Sequence, residues 1–283
     1  MTQAVERVTE VAIEQPQEQV QQSTEHLLTF QEYLAYEGEP DVLYELFRGK
    51  LIPMPAPTLY HAKICEFLVY KLQRYFADQN LALVAKTTVG VRTEENSSRI
   101  PDAIVCQESL WEQISDRPGA GVLDFAEKPI LVVEIVSSNR RDDYIIKRNE
   151  YEAAEISEYW IVDPQKKRVR VFATTQEEGY SGVDFSEDSS IVSGQFDQLD
   201  LSVQELLNPP VVEQLIKQEQ AKIKTLEQEA ETERQRAETE HQRAETERQR
   251  AETECQRADN ERQRAEKLAQ RLREMGINPE EID

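Results

Sequence analysis

Two carboxylates stand inside or beside apolar segments, and they are the first candidates for chemistry. Asp102 follows Pro101 in the segment RIPDAIV, and Glu134 interrupts the apolar segment LVVEIV, 32 residues after Asp102. A carboxylate in a buried strand is costly unless it is paired, hydrogen-bonded or bound to a metal ion. Glu134 therefore requires a partner, either an arginine in a buried pair or the other groups of a functional site. Asp102 after proline is also typical of a turn or a cap, so the two acids together are more informative than either alone.

A lysine, Lys147, follows Glu134 by 13 residues. Asp143, Lys147 and Tyr151 are spaced four residues apart, so they share one face of a helix. An Asp and a Lys at this spacing often form a simple surface ion pair. A helix that leaves the carboxyl end of the Glu134 strand can, however, fold its first turns back beside that carboxylate. We expect that this placement would bring the Lys147 ammonium to a water bound by a metal ion near Glu134.

The elements that position these residues follow from hydrophobic periodicity and from turn residues. Thr29 and Glu32 form a capping-box pattern, which opens a short helix through Tyr36. Residues 92–99 are predicted to form a polar loop between two strands. The other predicted elements are a hairpin over 42–54 that turns at Arg48-Gly49-Lys50, helices over 61–76 and 142–156, and strands over 83–91, 101–106, 130–136, 159–162 and 169–173. This order predicts an α/β or α+β fold, a mixed sheet flanked by helices.

Composition confines the hydrophobic core to the middle of the chain. All ten Tyr, both Trp and all eight Phe lie between residues 27 and 207, which are predicted to form one globular domain. Residues 1–26 are too polar to offset the entropy of ordering and are predicted to be a disordered tail. Residues 208–275 are predicted to form a long charged helix, and 276–283 a C-terminal tail.

The chain lacks the apolar run of about 20 residues that a membrane helix needs, and its N-terminus does not have the character of a secretory signal. We therefore expect a cytoplasmic protein without membrane contacts. Cys65, Cys106 and Cys255 are far apart and have no CxxC pair and no histidine at ligand spacing. This pattern predicts neither a zinc site nor a disulfide framework.

A repeat of seven residues dominates the C-terminal part. Residues 231–265 read ETERQRA, ETEHQRA, ETERQRA, ETECQRA and DNERQRA. With alanine at heptad position a, glutamate occupies position d, which is a poor seam for a coiled coil. Ion pairs three and four residues apart can still support a solvated helix, on the order of 100 Å long over 211–275, that ends at Gly276. The rod is therefore either monomeric or joined as a homodimer through its more apolar ends, or it serves as a docking surface for a protein partner.

Residues 27–182 resemble the Uma-two family, a group of restriction-endonuclease-like domains in the PD-(D/E)XK nuclease superfamily. The resemblance rests on YELFRGKLIPMPAPTLYHAKI, on RIPDAIV and on PILVVEIVSSNRRDDYIIKRNEYEAAEISEYWIVDP, in that order. In the superfamily pattern, Pro101-Asp102 corresponds to the PD element and Glu134 to the (D/E) element. Val136 stands where the motif lysine is expected, but related domains carry this lysine on the following helix, where Lys147 fits.

Two further residues match the family pattern. Glu45 matches an additional acidic residue that the superfamily often contributes from an upstream element. His61 matches a histidine common in the family, although a lone histidine near a helix start is more often a capping or packing residue.

The resemblance implies a metal-dependent endonuclease that hydrolyses phosphodiester bonds of DNA. Asp102 and Glu134, helped by Glu45, would hold Mg²⁺, with Mn²⁺ as an alternative, because these ions prefer hard oxygen ligands. The ion would polarise the phosphoryl oxygen and lower the pKa of its bound water. Lys147 would orient that water and stabilise the developing charge. The implied catalytic set is thus Glu45, Asp102, Glu134 and Lys147.

The charge of the chain opposes tight DNA binding. The net charge is −22, and residues 1–210 alone hold 36 acidic and 19 basic side chains. Because non-specific affinity comes mainly from Lys and Arg that replace counterions on phosphates, we expect DNA to be bound weakly. Basic residues at 140–148 and 166–170 are candidates for phosphate contacts or for a solvated turn and edge strand. The alternative function is a catalytically silent nuclease-fold scaffold or binding module that works through its C-terminal helix.

Overall fold

A computed structural model describes residues 26–40, 42–137, 140–175 and 179–276. The chain divides into two compact units, Met1–Pro210 and Val211–Asp283. The predicted N-terminal tail, apart from residue 26, and the predicted C-terminal tail beyond residue 276 lie outside the described residues. In the described ranges, no helix is both long and apolar enough to cross a membrane.

Helices and strands alternate through the first unit, and one long helix makes up most of the second. The helices are α1 Phe30–Leu34, α2 Leu59–Asp78, α3 Glu108–Ile114, α4 Arg148–Ala153, α5 Val203–Leu207 and α6 Val212–Glu274, with a π-helix over Asp142–Lys147 directly before α4. The strands are β1 Tyr44–Phe47, β2 Lys50–Pro53, β3 Leu83–Lys86, β4 Gly90–Glu94, β5 Ser97–Arg99, β6 Ala103–Gln107, β7 Val122–Leu123, β8 Leu131–Ile135, β9 Glu158–Asp163, β10 Arg168–Thr175 and β11 Gly179–Ser186.

The strands form two mixed sheets. The first has the order β2-β1-β5-β4-β7, and the second has the order β11-β10-β9-β8-β6-β3. In the second sheet β8 and β9 run parallel, whereas β6 pairs with β8 in the antiparallel direction. This confirms the predicted mixed sheet-and-helix class, with the strands divided between two sheets.

The core is built around the strands whose sequences are almost entirely apolar. Every residue of β8 and of β9 is buried, which explains why β-branched residues and leucine fill Leu131–Val133. Helix α2 buries a single stripe of side chains at helical spacing, as its sequence predicts. The buried residues of this stripe are Ile64, Phe67, Leu68, Leu72 and Phe76.

Two local signals near the N-terminal end of the domain are confirmed. The Glu32 amide donates to Thr29 Oγ1 at 3.2 Å and the Thr29 amide donates to Glu32 Oε2 at 2.8 Å, which completes the capping box. The hairpin of β1 and β2 turns at Arg48 and Gly49, whose φ angles are +50° and +82°. These left-handed conformations suit a tight hairpin turn and favour glycine at the second position.

The prediction of a polar loop over 92–99 is wrong. Strand β4 continues to Glu94, and the chain turns back at once into β5, whose residues Ser97, Ser98 and Arg99 are all buried. The physical reason is that Arg99, the charged side chain of β5, is paired with the carboxylates of Glu45 and Glu150. A charged side chain such as that of Arg99 can enter the interior when its charge and its hydrogen bonds are satisfied there.

The heptad repeat forms a continuous helix. Helix α6 has 63 residues, and a rise of about 1.5 Å per residue gives it a length of roughly 95 Å. One contact recurs with the repeat, because a threonine hydroxyl donates to the carbonyl oxygen four residues earlier, each time at 2.8 Å. The threonines are Thr232, Thr239, Thr246 and Thr253. After the helix, Gly276 has a φ of +81°, which is typical of a helix C-terminus.

Candidate active site

Glu134 is the most deeply buried of the predicted site residues. It lies in β8, where 4% of its surface is exposed. Its Oε1 atom accepts a hydrogen bond from the Tyr151 hydroxyl at 2.9 Å and lies 2.9 Å from Lys147 Nζ. Burial raises the pKa of the Glu134 carboxyl well above its usual value, against the Lys147 ammonium, which lowers it. The partner that the sequence required for this acid is therefore a lysine and a tyrosine from the following helix.

Lys147 lies among three carboxylates. Its Nζ atom is 2.9 Å from Glu134 Oε1, 3.5 Å from Glu45 Oε1 and 3.8 Å from Asp143 Oδ1. Burial alone would lower the pKa of this ammonium, but the neighbouring carboxylates, Glu134 first, outweigh burial and raise it. The side chain is therefore a permanent cation at neutral pH. Asp143, Lys147 and Tyr151 share one helical face, as the spacing predicted.

The backbone that carries these residues is unusual. Asp142–Lys147 forms a π-helix that passes directly into α4, so the turn before Lys147 is wider than an α-helical turn. π-Helical turns occur frequently at functional sites, because the extra residue changes the direction of the side chains on one face. Here both Asp143 and Lys147 are buried, and both belong to the cluster around Glu134.

Glu45 reaches the cluster from the other sheet. It lies in β1, and its Oε2 atom accepts a hydrogen bond from Arg99 Nη1 at 2.9 Å. Its Oε1 atom accepts from the Ile100 amide at 3.0 Å and faces Lys147 Nζ at 3.5 Å. Both oxygens of this buried carboxylate are thus held by donors, which fixes its orientation.

Asp102 adjoins Glu134 through strand pairing. The antiparallel register of β6 and β8 pairs Ala103 with Val133, and its extension by one residue places Asp102 opposite Glu134. Asp102 Oδ2 accepts a hydrogen bond from the Ile135 amide at 2.6 Å. The charge of Asp102 also contributes to the raised pKa of Glu134, which is consistent with this neighbourhood.

His61 binds the second oxygen of Asp102. It lies in the first turn of α2, which Thr58 caps, and its Nε2 atom is 3.1 Å from Asp102 Oδ1. This hydrogen bond raises the pKa of His61, against burial, which lowers it. The Cys65 thiol, one turn later on α2, donates to the carbonyl oxygen of Asp102 at 3.1 Å. His61 therefore contacts a predicted site residue directly.

All four predicted site residues lie in one cluster. Glu45, Glu134 and Lys147 contact one another through the ammonium, and Asp102 stands beside Glu134. The cluster draws its side chains from both sheets, from the segment before β6 and from the π-helix.

Two buried residues next to this cluster, Arg99 and Glu150, are not identified from the sequence. Arg99 donates to Glu150 from Nε at 2.6 Å and from Nη2 at 2.9 Å, and to Glu45 from Nη1. Arg99 is the first residue of the segment RIPDAIV, which contains Asp102, and Glu150 directly precedes Tyr151. Their types alone gave no signal, because a charged residue in a predicted loop or on a helix is usually exposed.

The cluster carries an excess of negative charge. The two permanent cations are Arg99 and Lys147. The carboxylates in contact with them are fully or partly buried and include Glu45, Glu134, Asp142, Asp143 and Glu150. Burial raises the pKa of Asp143 to about 6.

The donor types of the cluster suit a hard divalent cation, which prefers carboxylate oxygens. Within the described parts of the chain, however, no group of three or more His, Cys, Asp or Glu side chains is arranged to hold a metal ion. Lys147 Nζ instead lies between Glu45 and Glu134. The residues therefore fit a divalent ion in type and in charge. In this structure the carboxylates of Glu45 and Glu134 contact the Lys147 ammonium.

Most of the basic residues proposed for phosphate contacts are engaged in ion pairs. Arg140 forms a bidentate pair with Asp163 at 2.7 and 2.9 Å. Other pairs join Arg148 to Glu152, Lys167 to Glu187, and both Arg168 and Arg170 to Asp184. Arg141 is exposed. These pairs reduce the positive charge that is available to a nucleic acid.

Comparison with known proteins adds two findings. A family model with the description "Uma2: Putative restriction endonuclease" matches residues 30–204. Among solved structures, the chain is similar to "a putative nuclease belonging to DUF820" from Anabaena variabilis, with 22% identity and a TM-score of 0.50 over 64% of this chain and 98% of that chain. At this identity the likeness shows a shared fold. No curated protein matches the chain.

Proposed function

This chain belongs to the Uma2 family, whose description is "Putative restriction endonuclease". From that membership we propose that it is a metal-dependent endonuclease that hydrolyses phosphodiester bonds of DNA. The observation that best supports this proposal is the contact of Lys147 with the buried carboxylates of Glu45 and Glu134, beside Asp102. A buried acid with a raised pKa, here Glu134, beside one specific cation is typical of functional sites.

The metal ligands in this proposal are Glu45, Asp102 and Glu134, and the ion is Mg²⁺ or Mn²⁺. A divalent ion at this site would supply a Lewis acid for the phosphoryl oxygen and would lower the pKa of a water molecule. The strand contacts hold two of these acids in place, because Asp102 accepts from the Ile135 amide and Glu45 accepts from the Ile100 amide. Fixed carboxylates do not need to reorganise during the reaction.

Lys147 acts on the substrate in this proposal. Its raised pKa keeps it protonated, so it stabilises the negative charge that develops on the phosphate during in-line attack and orients the attacking water. Tyr151 and Lys147 both contact Glu134 Oε1, which ties the direction of the ammonium to that carboxylate. His61 holds Asp102 from the opposite side.

The substrate in this proposal is bound weakly. The net charge of the chain and the ion pairs of the basic residues leave few cations for phosphate contacts. Weak intrinsic affinity assigns a role to helix α6. We propose that α6 either joins two chains as a homodimer, so that both strands of a duplex are addressed, or docks a protein partner that recruits the substrate.

The test is nicking of supercoiled plasmid DNA with Mg²⁺ or Mn²⁺. The wild type is expected to nick DNA only with the ion, and Asp102→Asn and Lys147→Met are expected to lose activity by a factor of about 10² to 10³. Lys128→Met is the control, because it removes a lysine from the exposed ion pair with Glu155. Absence of metal-dependent cleavage by every form, including the wild type, would favour the scaffold or binding module instead.

A further inference from the structure

Arg99 makes the most extensive set of contacts in the site's surroundings. Only 3% of its surface is exposed, and its guanidinium lies 4.6 Å from the centre of the Phe47 ring. One edge of the guanidinium binds both oxygens of Glu150, at 2.6 and 2.9 Å. Nη1 donates to Glu45 Oε2 at 2.9 Å, and Nη2 is 3.8 Å from Asp142 Oδ1.

These contacts connect the elements that carry the site. Glu45 belongs to β1, Asp142 begins the π-helix that contains Lys147, and Glu150 belongs to α4, which follows it. Arg99 itself stands three residues before Asp102. The Arg99 guanidinium thus links strand β1, which carries Glu45, to the helical segment that carries Lys147.

The geometry points to Arg99 as a positioning residue of the nuclease site: through its bonds to Glu45 and Glu150 it fixes the Glu45 carboxylate relative to Lys147. This inference rests on the proposed function, because Glu45 is a metal ligand only in that proposal. A hydrogen-bond partner behind a metal-binding carboxylate orients it, and loss of such a partner typically weakens metal affinity about 10- to 100-fold.

Lysine cannot replace arginine in this position without loss of geometry. A guanidinium offers a rigid fork that binds Glu150 with two donors while a third reaches Glu45, whereas an ammonium is a point charge on a flexible stem. Arg99→Lys keeps the positive charge and removes the fork. Because the net charge of the site is unchanged in this variant, a loss of metal affinity would come from a shift of the Glu45 carboxylate and not from a change in electrostatic attraction.

The first measurement needs no metal. Urea unfolding of the wild type, Arg99→Lys, Glu45→Gln and the double variant gives a double-mutant cycle for this contact. We expect the losses of unfolding free energy in Arg99→Lys and in Glu45→Gln to be clearly less than additive in the double variant, because each substitution breaks the bond between Arg99 and Glu45. Additive effects would overturn the inference, since Arg99 would then not act on Glu45.

The second measurement is the affinity for Mn²⁺, which electron paramagnetic resonance detects on the folded proteins. Arg99→Lys is expected to weaken Mn²⁺ binding by about tenfold or more, and to have no further effect in the Glu45→Gln background. A merely structural role would lower the melting temperature and leave the affinity of the folded protein unchanged. An unchanged affinity, or an equal loss in both backgrounds, would overturn the inference.

The matched control is Arg92→Lys. Arg92 is also largely buried in a strand of the same sheet, bonds Asp124 at 2.9 Å and lies between the rings of Phe30 and Phe125. It has the same kinds of contacts as Arg99 but none to Glu45, so Mn²⁺ affinity is expected to remain at the wild-type value. A loss as large as that of Arg99→Lys would overturn the inference.

Two outcomes separate this inference from the proposed function. If the wild type neither binds Mn²⁺ nor nicks DNA, the proposed function fails and the role of Arg99 in it fails as well. If the wild type does both and Arg99→Lys matches it, only the inference fails. Should Arg99→Lys not fold, Glu150→Gln replaces it, because the amide keeps the shape of the partner, and the same loss of affinity is expected.

Discussion

At the scale of single residues, the charge balance around Lys147 controls how the site is held together. Three carboxylates approach its ammonium, and two of them, Glu134 and Asp143, have raised pKa values. A buried ion pair contributes little net stability compared with an apolar pair, but removal of one partner leaves an uncompensated charge. The ammonium thus acts as the counter-ion of the acid cluster in the absence of a metal.

This role predicts a specific response of Lys147→Met to Mg²⁺. Without metal, the variant is expected to lose about 3 to 5 kcal/mol of unfolding free energy, because its carboxylates lose their cation. Bound Mg²⁺ would replace that charge and stabilise the folded state by mass action. Thermal melts with EDTA and with Mg²⁺ should show a larger increase in melting temperature for the variant than for the wild type.

The control for this experiment is Lys128→Met. Its ion pair with Glu155 is exposed, so the substitution is expected to change stability by less than about 1 kcal/mol and not to alter the Mg²⁺ response. Equal Mg²⁺ shifts in Lys147→Met and in the wild type would contradict the counter-ion role.

Asp143 predicts how stability depends on pH. Burial raises the pKa of this carboxyl from 3.8 to about 6, so between these values the folded state holds a proton that the unfolded state has lost. Stability therefore falls as pH rises from about 4 to about 6. Asp143→Asn removes this cost and is expected to be more stable than the wild type at pH 8, by at most about 3 kcal/mol, and equally stable near pH 3.5.

Urea unfolding in EDTA at a series of pH values measures this difference. Asp78→Asn serves for comparison, because it removes the same charge from an exposed ion pair with Arg74, outside the cluster. Glu134 has a raised pKa as well, so the wild-type slope should become smaller in Asp143→Asn but not vanish. A variant that is less stable than the wild type at pH 8 would contradict the argument.

At the scale of secondary-structure elements, the β1–β2 hairpin determines where Glu45 lies. The hairpin turns at Gly49, whose φ is +82°, and a Cβ atom there would lie 2.9 Å from Leu27 Cβ and 3.1 Å from the Leu28 carbonyl oxygen. Both the conformation and the close approach of backbone therefore require glycine. A shift of this turn would move the strand that carries Glu45.

Gly49→Ala is accordingly expected to lower the free energy of unfolding by about 2 kcal/mol or more. Gly121→Ala is the matched control, because no heavy atom lies within 4 Å of its Cβ position, and a change below about 1 kcal/mol is expected. Chemical denaturation of both variants measures the difference. If the two substitutions had equal effects, the turn would not constrain the hairpin as described.

The sequence predicts those elements whose own pattern specifies them. The periodic apolar stripe of α2, the buried strand β8 and the Arg48-Gly49 turn each follow from local chemistry, and the structure contains all three. Strand β5 was missed because its residues are polar. The charged member, Arg99, is buried beside acids from distant segments, Glu45 and Glu150, and no local pattern records that arrangement.

The same limit applies to the site. The proximity of Asp102, Glu134 and Lys147 could be predicted, because acids next to apolar strands and a helical Asp–Lys–Tyr face are visible in the sequence. The guanidinium behind Glu45 could not be predicted, since its partners are 51 and 54 residues away along the chain. Contacts of this kind depend on the packing of the two sheets.

At the scale of the whole molecule, the middle of the long helix carries charged residues and alanines, and large apolar side chains occur only towards its ends. Ile216, Ile223 and Leu226 near one end, and Leu268 near the other, are exposed large hydrophobic side chains. In the heptad register that places alanine at position a, Ile216 and Ile223 are at a and Leu226 is at d. These residues would be covered in a dimer of two such helices.

If α6 joins two chains, the molecular mass in solution should depend on the presence of this helix. The full chain is expected to have twice the mass of one chain in size-exclusion chromatography with light scattering, and a chain that ends at residue 210 is expected to be monomeric. Ile223→Glu would place a charge at position a, where it must be desolvated on pairing, so it should shift the full chain towards the monomer. Gln228→Glu adds the same charge at the outward position f and should leave the dimer unchanged. A monomeric full chain, or equal effects of the two variants, would instead assign α6 the role of a single charged rod, because its glutamates at position d oppose pairing along the middle.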